Sequence, residues 1–102
     1  MIYTENNSDT VIVQPNGKIT AANVDEFRQE LLKHVESGVT DLTINLNNVD
    51  IIDSKGLAVF VVCHKTITGK GGKLTVVTDN EDFRNLFHVM RLDEHFVVRK
   101  SE

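Results

Sequence analysis

The sequence predicts an α/β domain with a mixed, mainly parallel sheet of four to five strands and its helices packed mainly on one face. Short β-branched or alternating apolar runs recur at Val11-Ile12-Val13, Leu42 to Leu46, Leu74 to Val77 and Phe96-Val97-Val98. Longer stretches with apolar residues at helical spacing lie between them. Strands separated by helical crossovers pair in parallel and are covered by the helices that connect them.

Val11-Ile12-Val13 ends in Pro15-Asn16-Gly17, a turn signature, so a strand followed by a reversal is expected, with the first residues of the chain pairing as an edge strand. Asn23, with Glu26 three residues on, has the form of a helix cap, and Val24, Phe27, Leu31 and Val35 recur at helical spacing up to Gly38. Leu42, Ile44 and Leu46 alternate with Thr43, Asn45 and Asn47, the pattern of a strand in a sheet covered on one side. The run Leu57 to Cys63 is ambiguous, because a buried strand and a buried helix look alike over so short a window. Its residues have strand propensity. Asp53 or Ser54, however, supplies an N-cap, and no turn signal comes before Gly69, which makes a helix of about four turns the better reading. Gly69-Lys70-Gly71-Gly72 closes that helix, and Leu74 to Val77 makes a strand ending at Thr78-Asp79-Asn80. Asp79 or Asn80 caps a third helix carrying Phe83, Leu86, Phe87 and Met90, and Phe96-Val97-Val98 forms a last short strand before a charged tail.

Bulk properties exclude several functions. A chain of 102 residues buries a core without staples, and residues 1–102 are expected to form one domain, acting as a monomer. Fifteen acids against 11 bases give a net charge of −4 spread along the chain, so neither a nucleic-acid stripe nor an anionic-membrane patch is present and neither partner is expected. The single cysteine forms no internal disulfide, the amino terminus lacks the pattern of a signal peptide, and no apolar run reaches the length of a membrane span. The expected compartment is a reducing cytoplasm.

Residues that carry chemistry in other proteins have plain readings here. Cys63 and His64 are adjacent and point to different sides of a helix, while His34, His88 and His95 are scattered among separate elements, so no metal-ligand spacing emerges and no metal or other cofactor is expected. Cys63 reads as a small core residue. Gly69-Lys70-Gly71-Gly72-Lys73 is superficially like a phosphate cradle, but Ile67 stands where a Walker loop needs its first glycine, and the segment follows a helix rather than a strand. Ile52 likewise stands where a nucleophile elbow needs glycine, and no acid, base and nucleophile set can be assembled, so the chain is not expected to be an enzyme. Ser54 has two readings from the residues alone: a helix cap and nothing more, or a functional hydroxyl.

Val49-Asp50-Ile51-Ile52-Asp53-Ser54-Lys55-Gly56-Leu57-Ala58-Val59 resembles the signature of STAS domains of the anti-sigma factor antagonist type, in which an aspartate-serine-x-glycine-leucine segment opens the second helix. Gly17-Lys18-Ile19 with the helix from Asn23 to Leu31 resembles the family's first strand-helix unit, and Gly71 to Leu74 followed by Phe83, Leu86 and Leu92 resembles its closing portion. The resemblance therefore spans nearly the whole chain. It implies a binding protein in a partner-switching circuit: unphosphorylated, it sequesters an anti-sigma factor that is also a serine kinase; the kinase phosphorylates its serine, by position Ser54, and a serine phosphatase restores it. The expected partner-binding set is Asp53, Ser54, Lys55, Gly56, Ala58, Val59 and Thr20.

Within that resemblance, a helix N-terminus accommodates an added phosphate, whose charge of about −1.5 to −2 repels a closely packed partner. Gly56 is expected to let a partner backbone approach Ser54. Ala58, Val59 and Val62 form a small apolar contact patch or belong to the core, and periodicity leaves both open. Lys55 stands where the family usually has a small or hydroxyl residue, and its cation can pair with a phosphate. Thr20 occupies a place where many members carry an acid facing the partner. The competing expectation is a constitutive STAS subunit of a transport-associated or other regulatory complex.

Overall fold

The computed structural model describes residues 2–7 and 10–101. Met1, at the start of the expected edge strand, and Glu102, at the end of the expected charged tail, lie outside the described residues. The chain runs β1 (Ile2–Asn7), β2 (Thr10–Pro15), β3 (Gly17–Ile19), α1 (Val24–Glu36), β4 (Asp41–Asn45), β5 (Val49–Ile52), α2 (Ser54–Gly69), β6 (Lys73–Val77), α3 (Glu81–Val89), a 3-10 turn (Leu92–Glu94) and β7 (Val97–Arg99).

Five strands form one mixed sheet in the order β1-β2-β4-β6-β7. β1 is antiparallel to β2, whereas β2, β4, β6 and β7 are parallel, with Val11 beside Leu42, Leu42 beside Leu74 and Val76 beside Val98. Alternation fixes which face is covered: Val11, Val13, Leu42 and Ile44 are buried, while Thr10, Ile12, Gln14 and Thr43 on the opposite face are half-exposed. The helices therefore lie on one face, as the polar alternation in β4 foretells. Four phenylalanines bind the helical layer together. Phe60 of α2 lies 5.6 Å from Phe27 of α1 in a tilted pair and 5.4 Å from Phe87 of α3, and Phe87 lies 6.0 Å from Phe96 before β7, the last two pairs edge-to-face.

Several local expectations need correction. The Pro15-Asn16-Gly17 signal does not close a hairpin; Gly17, at φ +86°, leads directly into β3, which pairs in parallel with β5 as a separate two-stranded sheet. Asn23 precedes α1, but its side chain does not cap the helix. It accepts from the Thr20 N–H and donates to the Lys18 carbonyl, closing the loop instead. Met90, placed on the apolar stripe of α3, lies beyond the last turn and is exposed. Leu57 to Cys63 is helical, inside α2. Gly69-Lys70-Gly71-Gly72 ends α2, with Gly72 N–H donating to the Ile67 carbonyl, and Asn80 caps α3 by accepting from the Asp82 and Phe83 amides.

Candidate functional site

β3 and β5 leave the small sheet side by side, with Ile19 beside Ile52, and each delivers the chain to a helix N-terminus. The 20–23 loop and the start of α2 are thereby neighbours, at the carboxyl ends of parallel strands where α/β folds place their sites. Asp53 ties the two together. Its Oδ1 accepts from the Gly56 N–H at 2.9 Å as the cap of α2, its Oδ2 accepts from the Ala21 N–H at 2.9 Å, and its own N–H donates to the Ile19 carbonyl at 3.2 Å. The Gly56 and Ala21 amides hold the Asp53 carboxyl below the usual carboxylate range, against a small opposing effect of burial and with help from Lys55.

Asp53 therefore takes the capping role that the sequence leaves open between Asp53 and Ser54. Ser54 is the first residue of α2, exposed, and its hydroxyl makes no hydrogen bond among the described residues. Lys55 beside it is also exposed, and Thr20 is half-buried in the facing loop. Ala58, one turn on from Ser54, is exposed as well, so Thr20, Asp53, Ser54, Lys55 and Ala58 share one surface around the helix start.

Gly56 and Val59 depart from expectation. Gly56 is buried, and a Cβ there would stand 2.5 Å from the Ile19 carbonyl oxygen and 2.9 Å from Ile19 Cγ2. The missing side chain lets α2 close onto β3; it does not open a path for a partner. Val59 belongs to the core at 6% exposure, whereas Val62 is 46% exposed. A groove of about 270 Å³ between α1 and α2 runs away from the Ser54 surface, with Lys55, Ala58 and Val62 on one wall and Val24, Asp25 and Arg28 on the other. Asp25 and Arg28 form an ion pair of 3.1 Å along α1. Nothing in the sequence marks these two; the helical pattern makes them surface residues and does not say which helix they face.

Elsewhere, burial pushes the Cys63 thiol up to about 12, which keeps it protonated and unreactive. Among the described residues no three His, Cys, Asp or Glu side chains gather as metal ligands. His64 and His95, read as belonging to separate elements, do meet, with ring centroids 5.8 Å apart. No helix of the described residues is long and apolar enough to cross a membrane.

The family model of the STAS domain matches residues 1–102. The chain belongs to the STAS domain family. The anti-sigma-B factor antagonist of Bacillus subtilis is 31% identical over 102 residues, covering 99% of this STAS chain and 93% of that protein. A candidate anti-sigma factor antagonist of Thermotoga maritima, solved by crystallography, superposes with a TM-score of 0.91 at 25% identity, over 98% of this chain and 86% of that one. The Bacillus cell fate determinant SpoIIAA in its phosphorylated form superposes with a TM-score of 0.81 at 15% identity, over 100% and 92% of the two chains, a likeness of fold. The segment Asp53 to Leu57 that carries the family resemblance is the one the fold sets at the mouth of the paired β3 and β5 strands.

Proposed function

We propose that this STAS domain is an anti-sigma factor antagonist, a monomeric cytoplasmic binding protein that sequesters an anti-sigma factor with serine kinase activity while Ser54 is unmodified. The observation that carries the reading is the division of labour at the start of α2: Asp53 caps the helix, and the Ser54 hydroxyl stands exposed with no structural bond to lose. A serine kept only as a cap would occupy the position that Asp53 holds. The names of the bacterial relatives support the role, and SpoIIAA, solved in a phosphorylated form, has a fold of this kind.

In this reading the partner covers Thr20, Ser54, Lys55 and Ala58, and the kinase transfers the γ-phosphoryl of ATP to Ser54 Oγ, with the hydroxyl proton released and ADP as the leaving product. The helix N-terminus already holds the Asp53 carboxylate, so the new phosphate is not drawn into it and projects outward. About −1.5 to −2 charges then lie beside Asp53 on the docking surface, and a partner packed there is repelled while the fold beneath is unchanged. Lys55 offsets part of this charge and softens the switch. A serine phosphatase reverses it by hydrolysis. The chain acts by binding, and catalysis belongs to its partners.

Intact-mass analysis with phosphosite mapping of the protein from its native cells, beside a pull-down comparing Ser54→Ala with Ser54→Asp, tests the reading. A phosphate on Ser54, with a partner retained by the alanine form and lost by the aspartate form, is expected. An unmodified protein whose partners ignore both substitutions refutes it and leaves a constitutive STAS subunit.

A further inference from the structure

The geometry points to a second site, on the other flank of α2 from the α1–α2 groove: a pocket for a small monocarboxylate with an apolar body. A cavity of about 360 Å³ lies between the second half of α2 and the segment around the 3-10 turn, within the size range of small-molecule sites. Leu92 and Phe96, both buried, and Val61 give it an apolar floor; His64, Lys65 and His95 form its rim. The His64 ring lies 5.7 Å from Phe96 and 5.8 Å from His95, so the two imidazoles meet beside the apolar floor.

These rim groups are unspent. Among the described residues, neither imidazole ring nor the Lys65 ammonium has a hydrogen-bond or ion-pair partner, and His64 Nδ1 is enclosed without one. No carboxylate lines the cavity, although the chain carries 15 acids. The neighbouring cavities do carry them: Asp25 lines the α1–α2 groove, and Asp93 and Glu94 line the depression beside His88. Charge complementarity thus favours an anion for this cavity.

One negative charge fits better than two. Burial lowers the tendency of His64 to protonate, and His95 and Lys65 lower it further; a proton on Nδ1 would also be an enclosed donor with no acceptor. Neutral His64 offers an N–H from its other nitrogen, Lys65 offers its ammonium, and His95 lies beside them on the rim. A carboxylate sets one negative charge against the Lys65 ammonium and accepts from several donors, whereas a dianionic phosphoryl group would set a second charge against the apolar floor of Leu92 and Phe96.

The site is independent of Ser54, and octanoate is the probe that tests it. Amide NMR of the labelled protein at pH 7 is titrated with octanoate, octanol or octylamine. Octanoate is expected to give saturable shifts confined to residues 61–65 and 92–96, octanol to bind at least about tenfold more weakly, and octylamine to give none. Lys65→Gln, an exposed substitution, is expected to weaken octanoate by about tenfold or more while leaving the melting midpoint in place. Absence of saturation at millimolar octanoate, equal binding of the alcohol or amine, or an unaltered affinity in Lys65→Gln overturns the assignment.

Discussion

Alanine at Gly56 sets two opposing effects against each other at the third residue of α2. Glycine inside a helix costs about 0.5 to 1 kcal/mol relative to alanine, so propensity alone makes Gly56→Ala stabilising. The surroundings oppose it. The added methyl carbon would meet the Ile19 carbonyl oxygen at 2.5 Å, Ile19 Cγ2 at 2.9 Å and Ile52 Cγ2 at 3.1 Å, and the first of these is backbone that cannot swing aside. Overpacking of this kind costs about 1 to 3 kcal/mol. Pushing the Ile19 carbonyl away also loosens its 3.2 Å bond from Asp53 N–H, a further ~0.5 to 1.5 kcal/mol. The balance is a net destabilisation of about 0.5 to 4 kcal/mol, centred on about 2, or roughly 10 to 15 °C in the melting midpoint of a domain this size at that centre. Gly69→Ala is the internal control, because it lies at the other end of the same helix with nothing within 4 Å of its added carbon. Thermal unfolding followed by far-ultraviolet circular dichroism compares the two. If Gly56→Ala melts at or above Gly69→Ala, the close approach of α2 to β3 is not what keeps this residue small.

The division of labour at the helix start predicts that Ser54→Ala leaves stability within about 0.5 kcal/mol of the parent, whereas Asp53→Ala lowers the melting midpoint clearly; equal effects of the two would contradict it. Because the folded state holds the Asp53 carboxyl below its usual range, its contribution is present at neutral pH and is lost as pH falls through that depressed value, so Asp53→Asn should flatten this part of the acid limb of a stability–pH curve. Phe60→Ala empties the centre of the aromatic row and should cost about 3 to 5 kcal/mol in a urea titration, a large share of the roughly 5 to 15 kcal/mol that holds a domain together; a loss below about 1 kcal/mol would mean the row is not a structural unit. Cys63, 1% exposed with its thiol pushed up to about 12, should resist iodoacetamide at pH 8 until urea unfolds the chain. Rapid labelling of the native protein would show that the second helix opens locally.

Long elements with a strong period were legible from the residues. Phe27, Leu31 and Val35 specify the buried side of α1, and the alternation through Leu42 and Ile44 specifies which face of β4 is covered. The two elements that build the site were not. β3 has three residues and β5 reads Val-Asp-Ile-Ile, so neither offers enough of a period to register, and each exists because it pairs with the other across a stretch of chain that includes all of α1. The cap was legible only as a choice between Asp53 and Ser54, since both residue types cap equally well and the backbone decides which side chain reaches the Gly56 amide. The sequence neighbours of Gly56 point to the surface, while the contact that constrains it comes from Ile19 in another strand. The meeting of His64 with His95 depends on the short 3-10 turn, which a three-residue segment without a repeat cannot announce.

The pairing of β3 with β5 has a consequence for how a partner is met. Since the 20–23 loop is tied through Ala21 and Ile19 to the residue that caps α2, the surface around Ser54, which the proposed function assigns to the partner, is held in place by the fold itself. Association then gives up little loop entropy, and the affinity available from a small surface is correspondingly larger. The same rigidity limits how a modification can act, because a surface that does not rearrange transmits an added charge only to whatever touches it. In the proposed function, control at Ser54 is therefore local in space and immediate in time, set by the residence of a partner rather than by any slow change in the shape of the domain.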